Sequence, residues 1–256
     1  MRAKPSTCDA LTNLAWSYKM QNLMIIGAGG FGAEAAWVAR EITSASHKMD
    51  SLNAAWNVLG FADSDERKSG TLHDGYPVHG PIEQIAGRFT DQVWYFCAVG
   101  DNSARQRLSG AANALGWKPA TLIHPTALVA DSARVLAGTY VGPCSVVSNN
   151  ARIGKHVIIN THVSVGHDVV VGDYCQLSPG SRISGFSCLE ELAFIGSNAV
   201  LMPQTHVGHG GVVGACSLGR GQIERNTTVC GVPGRVVRLT QPTDFIKETA
   251  SAQVSR

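Results

Sequence analysis

The sequence predicts an α/β domain followed by a long coil of short parallel strands, and three observations carry that prediction. Over residues 123–218 an aliphatic side chain recurs every six residues, from Ile123 through Val165 to Val213, for sixteen blocks without a slip. The fifth position of each block, from Ala127 to Ser217, is always small or β-branched. Upstream, the apolar run Leu23-Met24-Ile25-Ile26 passes into Gly27-Ala28-Gly29-Gly30-Phe31-Gly32 and then an alanine-rich stretch over residues 33–40.

A strict period of six fits neither the 3.6 of a helix nor the 2 of an ordinary strand, but it does fit short strands separated by regular corners. A one-residue slip would turn the whole aliphatic row outward. Residues 119–240 are assigned to this domain and residues 20–118 to the α/β domain. Residues 1–19 read as a disordered leader or an upstream start, and 241–256 as a polar tail.

In the α/β domain, the order strand, GxGxxG, helix is the context that gives the motif meaning. The glycines permit a tight turn, and the amides at the helix N-terminus face an anion. Gly27, Gly29, Gly30, Phe31 and Gly32 are therefore expected to cradle a diphosphate. A second strand over 58–62 ends at Asp63, a carboxylate placed to accept hydrogen bonds from a ribose or base. A third strand over 93–99 closes on Gly100-Asp101-Asn102, which are expected at the same site, before a helical run over 103–115. About 100 residues hold one mononucleotide-binding half, not the paired halves that hold a dinucleotide.

Composition narrows the class. With 44% apolar and 16% charged residues in 256, the chain supports two modest folded domains. A net charge of +2 without a basic, aromatic-interleaved run gives no sign of nucleic acid as a partner. No stretch approaches the ~18 apolar residues of a membrane span, and a cytoplasmic location is expected. Seven scattered cysteines without a CxxC suit reduced thiols better than disulfides or zinc.

Six of the nine histidines lie in the repeat region. His167 stands third in its block, facing outward near a corner, and Asp168 follows it. Eighteen residues on, the equivalent position is Gly185, so the residue stacked over the imidazole has no side chain. That gap would admit a ligand and let a main-chain N–H approach a reacting oxygen, as general-base acyl transfer requires.

Taken together, 27–32, Gly60-Phe61-Ala62-Asp63, Gly75-Tyr76-Pro77-Val78-His79-Gly80, Val99-Gly100-Asp101-Asn102, Ile123-His124-Pro125-Thr126-Ala127, Gly166-His167-Asp168 and Gly231-Val232-Pro233-Gly234-Arg235 carry a resemblance over residues 22–238. The chain resembles the sialic acid O-acetyltransferase-like sugar acyltransferases, which include enzymes that N-acetylate nucleotide-linked amino sugars. The resemblance implies a Rossmann-like domain followed by a left-handed parallel β-helix of about five coils. It also implies a homotrimer with active sites between subunits, acetyl-CoA in the groove between neighbouring helices, no metal, and a nucleotide-sugar substrate, with UDP as the expected carrier. By the same resemblance His167 is the general base, Asp168 orients it and the Gly185 N–H faces the thioester carbonyl. Asn160 approaches the site from a neighbouring chain, and Gly231, Pro233 and Arg235 border CoA. Gln176 stands where relatives have a second histidine near the acetyl donor.

Three alternatives stay open at this point. One is O-acetylation of a sugar hydroxyl, and another is a non-catalytic nucleotide-binding scaffold. The third is a zinc hydratase resembling the γ-class carbonic anhydrases, for which His162 and His167 have the right separation but the third ligand would fall at Thr126.

Overall fold

The computed structural model describes residues 20–49, 55–85, 87–89 and 91–239. The leader and tail expected at 1–19 and 241–256 lie outside these residues.

The N-terminal domain is a parallel sheet in the order β2-β1-β5-β6. Its elements are β1 (Gln21–Ile26), α1 (Gly30–Met49), β2 (Trp56–Ala62), the hairpin of β3 (Leu72–His73) and β4 (Tyr76–Pro77), α2 (Ile82–Ile85), β5 (Val93–Cys97), α3 (Asn102–Ala114) and β6 (Lys118–Pro119). β1 is a run of aliphatic residues because both its faces are covered; Leu23, Met24 and Ile25 are fully buried. The chain winds to one side of β1 as β2 and then to the other as β5. The strand order therefore reverses beside Gly27, where open α/β sheets bind ligands.

From Leu122 onward the chain is a left-handed β-helix. Two-residue strands stack eighteen residues apart, Tyr140 on Ile158 and Val147 on Val165, building three faces of eight, six and six strands. The aliphatic row fills the interior, with Val141, Leu177, Ile195 and Val213 fully buried. Each contributes ~1.5–3 kcal/mol before chain entropy is subtracted. The first-coil members Ile123, Val129 and Val135 are only partly covered.

At the fourth position of every block from the third onward the backbone turns through the left-handed region, at each sixth residue from Gly138 to Cys216. Most of these residues are not glycine, so each corner carries a small steric cost that the stacked hydrogen bonds offset. The coil runs further than the repeat predicts. A sixth coil uses Ile223 and Val229 as its inward residues, and there the pairing offset drops to sixteen, with Val213 against Val229. That shortening ends the period of six near Leu218 without ending the fold.

The two domains share a core. Leu122, Tyr140 and Ile158 project outward from the first face of the coil and pack with Ala35, Val38 and Phe96 of the N-terminal domain.

Candidate functional site

The catalytic candidates lie at a corner between the second and third faces. The His167 Nδ1 lies 2.9 Å from Asp168 Oδ2, with the imidazole about half exposed. The other carboxylate oxygen accepts from Asn150 Nδ2 at 3.2 Å. The His167 bond and then the Asn150 bond hold Asp168 below the usual carboxylate range. A carboxylate that accepts from Nδ1–H leaves Nε2 with the lone pair, the form in which a histidine takes a proton. Asp168 is one of the left-handed corner residues, with φ +58°. The corner thus sets the direction from which the carboxylate meets the ring.

Gly185 sits directly over the imidazole. A Cβ built on it would lie 2.7 Å from both Cε1 and Nε2 of His167. The vacancy that the sequence suggested for a ligand is thus filled by the ring itself, which packs against main chain. The imidazole and Phe186 make a T-shaped contact with ring centroids 5.0 Å apart. Among the described residues the Gly185 N–H donates to no protein acceptor, while its carbonyl accepts from Gln204.

The glycine turn in the N-terminal domain is tightly built. Gly32 packs its α-carbon against the Gly27 carbonyl, an approach that a side chain would block. The first-turn amides of α1 have no intrahelical acceptor and are available to an anion. Asp63 Oδ2 accepts from the Ala28 N–H at 2.8 Å and from Lys68 Nζ at 2.9 Å. Burial pushes the Asp63 carboxyl up, but the Asp65 amide, Lys68 and the Ala28 amide together bring it below its ordinary value. Asp63 therefore shapes the turn as well as bordering the site. Lys68, which no sequence motif marks, also reaches the Ala28 carbonyl. The β3–β4 hairpin closes over this turn, with His73 Nε2 3.0 Å from the Gly29 carbonyl and Asp74 paired to Arg40.

A cavity of about 450 Å³ opens at the ends of β1, β2 and β5. Gly27, Asp63, Ser64, Glu83, Val99 and Arg107 lie in its wall. Gly29 and Gly30 are exposed at the turn, while Phe31 packs edge-on against Phe96 and Tyr140 at the domain junction.

The segment Gly100-Asp101-Asn102 has partners within the chain. Asp101 caps α3 by accepting from the Ala104 N–H. Asn102 is buried and donates its amide to the carbonyls of Leu192 and Ala193 in the coil. Beside it, the fully buried Arg105 donates to the carbonyls of Val99, His156, Tyr174 and Cys175 and to Asn102 Oδ1. Burial brings this guanidinium down to about 10. Its acceptors are mainly backbone carbonyls, so α3 clamps the N-terminal domain to the coil. The sequence reading missed this because nothing in a helix pattern marks which arginine is buried.

Asn160 is half-buried and caps its own chain, accepting from the Thr161 N–H. Gln176 projects from the first face between Ile158 and Phe194, and its Oε1 is buried without a partner among the described residues. Gly231, Pro233 and Arg235 form the exposed turn of a closing hairpin, Thr227–Cys230 with Arg235–Leu239, about four coils beyond His167. Among the described residues no three His, Cys, Asp or Glu side chains converge as metal ligands, and no helix is long and apolar enough to cross a membrane.

The fold and this site define a sugar acyltransferase of the hexapeptide-repeat class. The chain belongs to the nucleotide-amino-sugar N-acetyltransferase family. Residues 22–111 match the PglD N-terminal domain, and residues 150–185 match the bacterial transferase hexapeptide (six repeats). The acetyltransferase domain of PglB from Neisseria gonorrhoeae, solved with acetyl coenzyme A, is 32% identical over 85% of this chain and 100% of that one, with a TM-score of 0.72. PerB from Caulobacter crescentus, solved with CoA and GDP-perosamine, is 28% identical over 85% of this chain and 97% of that one, with a TM-score of 0.75. GDP-perosamine N-acetyltransferase of Escherichia coli O157:H7 is 30% identical over 102 residues, which cover 40% of this chain and 46% of that protein. The chain thus spans under half the length of that curated relative.

Proposed function

We propose that this chain transfers acetyl from acetyl-CoA to the amine of a nucleotide-linked amino sugar, with His167 as the general base. The observation that carries the reading is the His167–Asp168 pair seated on the bare backbone of Gly185. His167 Nε2 removes a proton from the sugar amine as its nitrogen attacks the thioester carbon. The negative charge that develops on the carbonyl oxygen meets the free Gly185 N–H. As the C–S bond breaks, the imidazolium returns the proton to the departing CoA thiolate, and Asp168 stabilises the charged ring in between.

The turn of Gly231, Pro233 and Arg235 is the expected border for the far end of CoA. It lies ~19 Å from the His167 coil at one strand spacing per coil, a span suited to an extended pantetheine arm. The expected assembly is a homotrimer with active sites between subunits, formed in the cytoplasm. Leu128 and Val146, neighbours in the outward column of the second face, are exposed and supply an apolar patch for it, and Val200 is exposed further along the same column beyond Ser164 and Arg182.

The carrier expected from sequence is UDP, whereas the relatives with a named carrier act on or bind GDP-perosamine. The cavity wall favours the purine. The Glu83 carboxylate complements the paired N1–H and N2–H donors of guanine, and Arg107 complements its O6 and N7 acceptors. Uracil offers a single N–H between two carbonyls, which a carboxylate meets poorly. The test is thiol release from acetyl-CoA with GDP-, UDP- and dTDP-linked amino sugars and their hydroxyl analogues. Transfer to a hydroxyl alone would replace the amine reading, and nucleotide binding without thiol release would make the chain a scaffold.

A further inference from the structure

A second cavity, of about 430 Å³, lies against the catalytic corner on its N-terminal side. Ser132, Arg134, Asn150, Arg152, Asp168 and Val170 line it. Two columns with an eighteen-residue period make its walls. Along the corner, Asn150 donates its N–H to Ser132 Oγ at 3.1 Å and its side-chain amide to Asp168. Along the third face, Arg134 and Arg152 are paired directly across neighbouring parallel strands, both pointing outward.

Two cations in register one strand spacing apart repel each other. Both are exposed, and neither has a carboxylate partner or a hydrogen bond among the described residues. The one carboxylate in the wall, Asp168, already accepts from His167 and Asn150. The cavity therefore presents two unpaired guanidinium groups to whatever enters it, and its upper end is the carboxylate that orients the base. Two guanidiniums on neighbouring strands of one cavity wall match the oxygens of a phosphate or diphosphate ester, which would also remove their mutual repulsion.

We propose that Arg134 and Arg152 form a phosphate-binding ladder that holds a phosphate group of one of the two substrates beside the catalytic pair. This inference rests on the transferase reading above. Two sources share the chemistry, the diphosphate of the nucleotide sugar and the phosphates of CoA. The ladder occupies the first two coils, whereas the hairpin turn expected to border CoA lies about four coils to the other side of His167. That arrangement favours the nucleotide sugar, with the ladder taking the place of the Gly27–Gly32 turn expected from sequence as the contact for its diphosphate.

The experiment uses the full-length protein and the variants R134Q, R152Q and R134Q/R152Q. KM is measured separately for nucleotide sugar and acetyl-CoA, and inhibition by inorganic pyrophosphate is followed in parallel. Each substitution is expected to raise KM for the nucleotide sugar ~10-fold, with pyrophosphate inhibition weakened to match and most of the loss falling in KM. A rise confined to acetyl-CoA supports the same ladder and assigns it to CoA. Unchanged KM for both substrates overturns the proposal. So does a loss of activity that follows only dissociation of the oligomer, read by light scattering. If the wild-type protein transfers acetyl to no amino sugar, the function fails on its own terms. Calorimetric titration of pyrophosphate into wild type and double variant then still decides whether the ladder binds phosphate.

Discussion

Gly185→Ala isolates the contact that seats the His167 ring, the proposed general base. The new methyl would stand 2.7 Å from Cε1 and Nε2 of His167, where ordinary contact begins near 3.4 Å. The imidazole must therefore retreat by about 0.7 Å, and it can, because its outer side is open to solvent. Retreat stretches the 2.9 Å bond to Asp168 and moves Nε2 off the reacting nitrogen. The fold has little reason to suffer, since Gly185 does not occupy a left-handed backbone conformation and the colliding group is an exposed side chain. A misplacement approaching 1 Å in a positioned catalytic group costs ~10²-fold in rate. The expected outcome is a kcat reduced ~10²-fold, by continuous thiol-release assay, with the melting temperature within about 2 °C of wild type. A kcat within threefold of wild type in a folded protein would show that the ring does not depend on this seat.

Further outcomes follow from the same coordinates. His167→Ala should lower kcat ~10²–10⁴-fold while calorimetry still detects CoA binding. His156 lies stacked between Tyr95 and Tyr174 at the domain junction; burial, and then Arg105 beside it, brings it down to about 4. An unfolded histidine titrates near 6.5, so between those values the unfolded chain binds the extra proton. Stability should be fully present above about pH 6.5 and fall by up to ~3 kcal/mol towards pH 4. His156→Phe should flatten that slope in urea titrations at pH 7.5 and 5, and an identical slope would remove His156 from the effect. Arg105→Met strands several buried carbonyls and should cost at least ~3 kcal/mol, seen as a lower urea midpoint.

The β-helix was legible because its code is one-dimensional. A period of six fixes which residues face inward, and eighteen-residue stacking brought Gly185 over His167 before any coordinates. The same arithmetic, applied to the outward column, would have paired Arg134 with Arg152. What the sequence hid was contact between elements of different period. Asn102 follows a strand end in the manner of a ligand-binding residue, yet its amide is spent on the coil. Lys68 reaches the glycine turn from a short 3-10 helix that carries no motif. The extra coil escaped because its two-residue shortening breaks the period while preserving strand pairing.

The clamp at Arg105 reads main chain on the coil side. Its coil acceptors are the carbonyls of His156, Tyr174 and Cys175, groups that any side-chain sequence on those coils would still present. A joint of that kind is indifferent to much of the sequence it grips. It would let an N-terminal domain be exchanged between coils while the spacing between its cavity and the His167 corner stays constant, provided α3 travels with its domain.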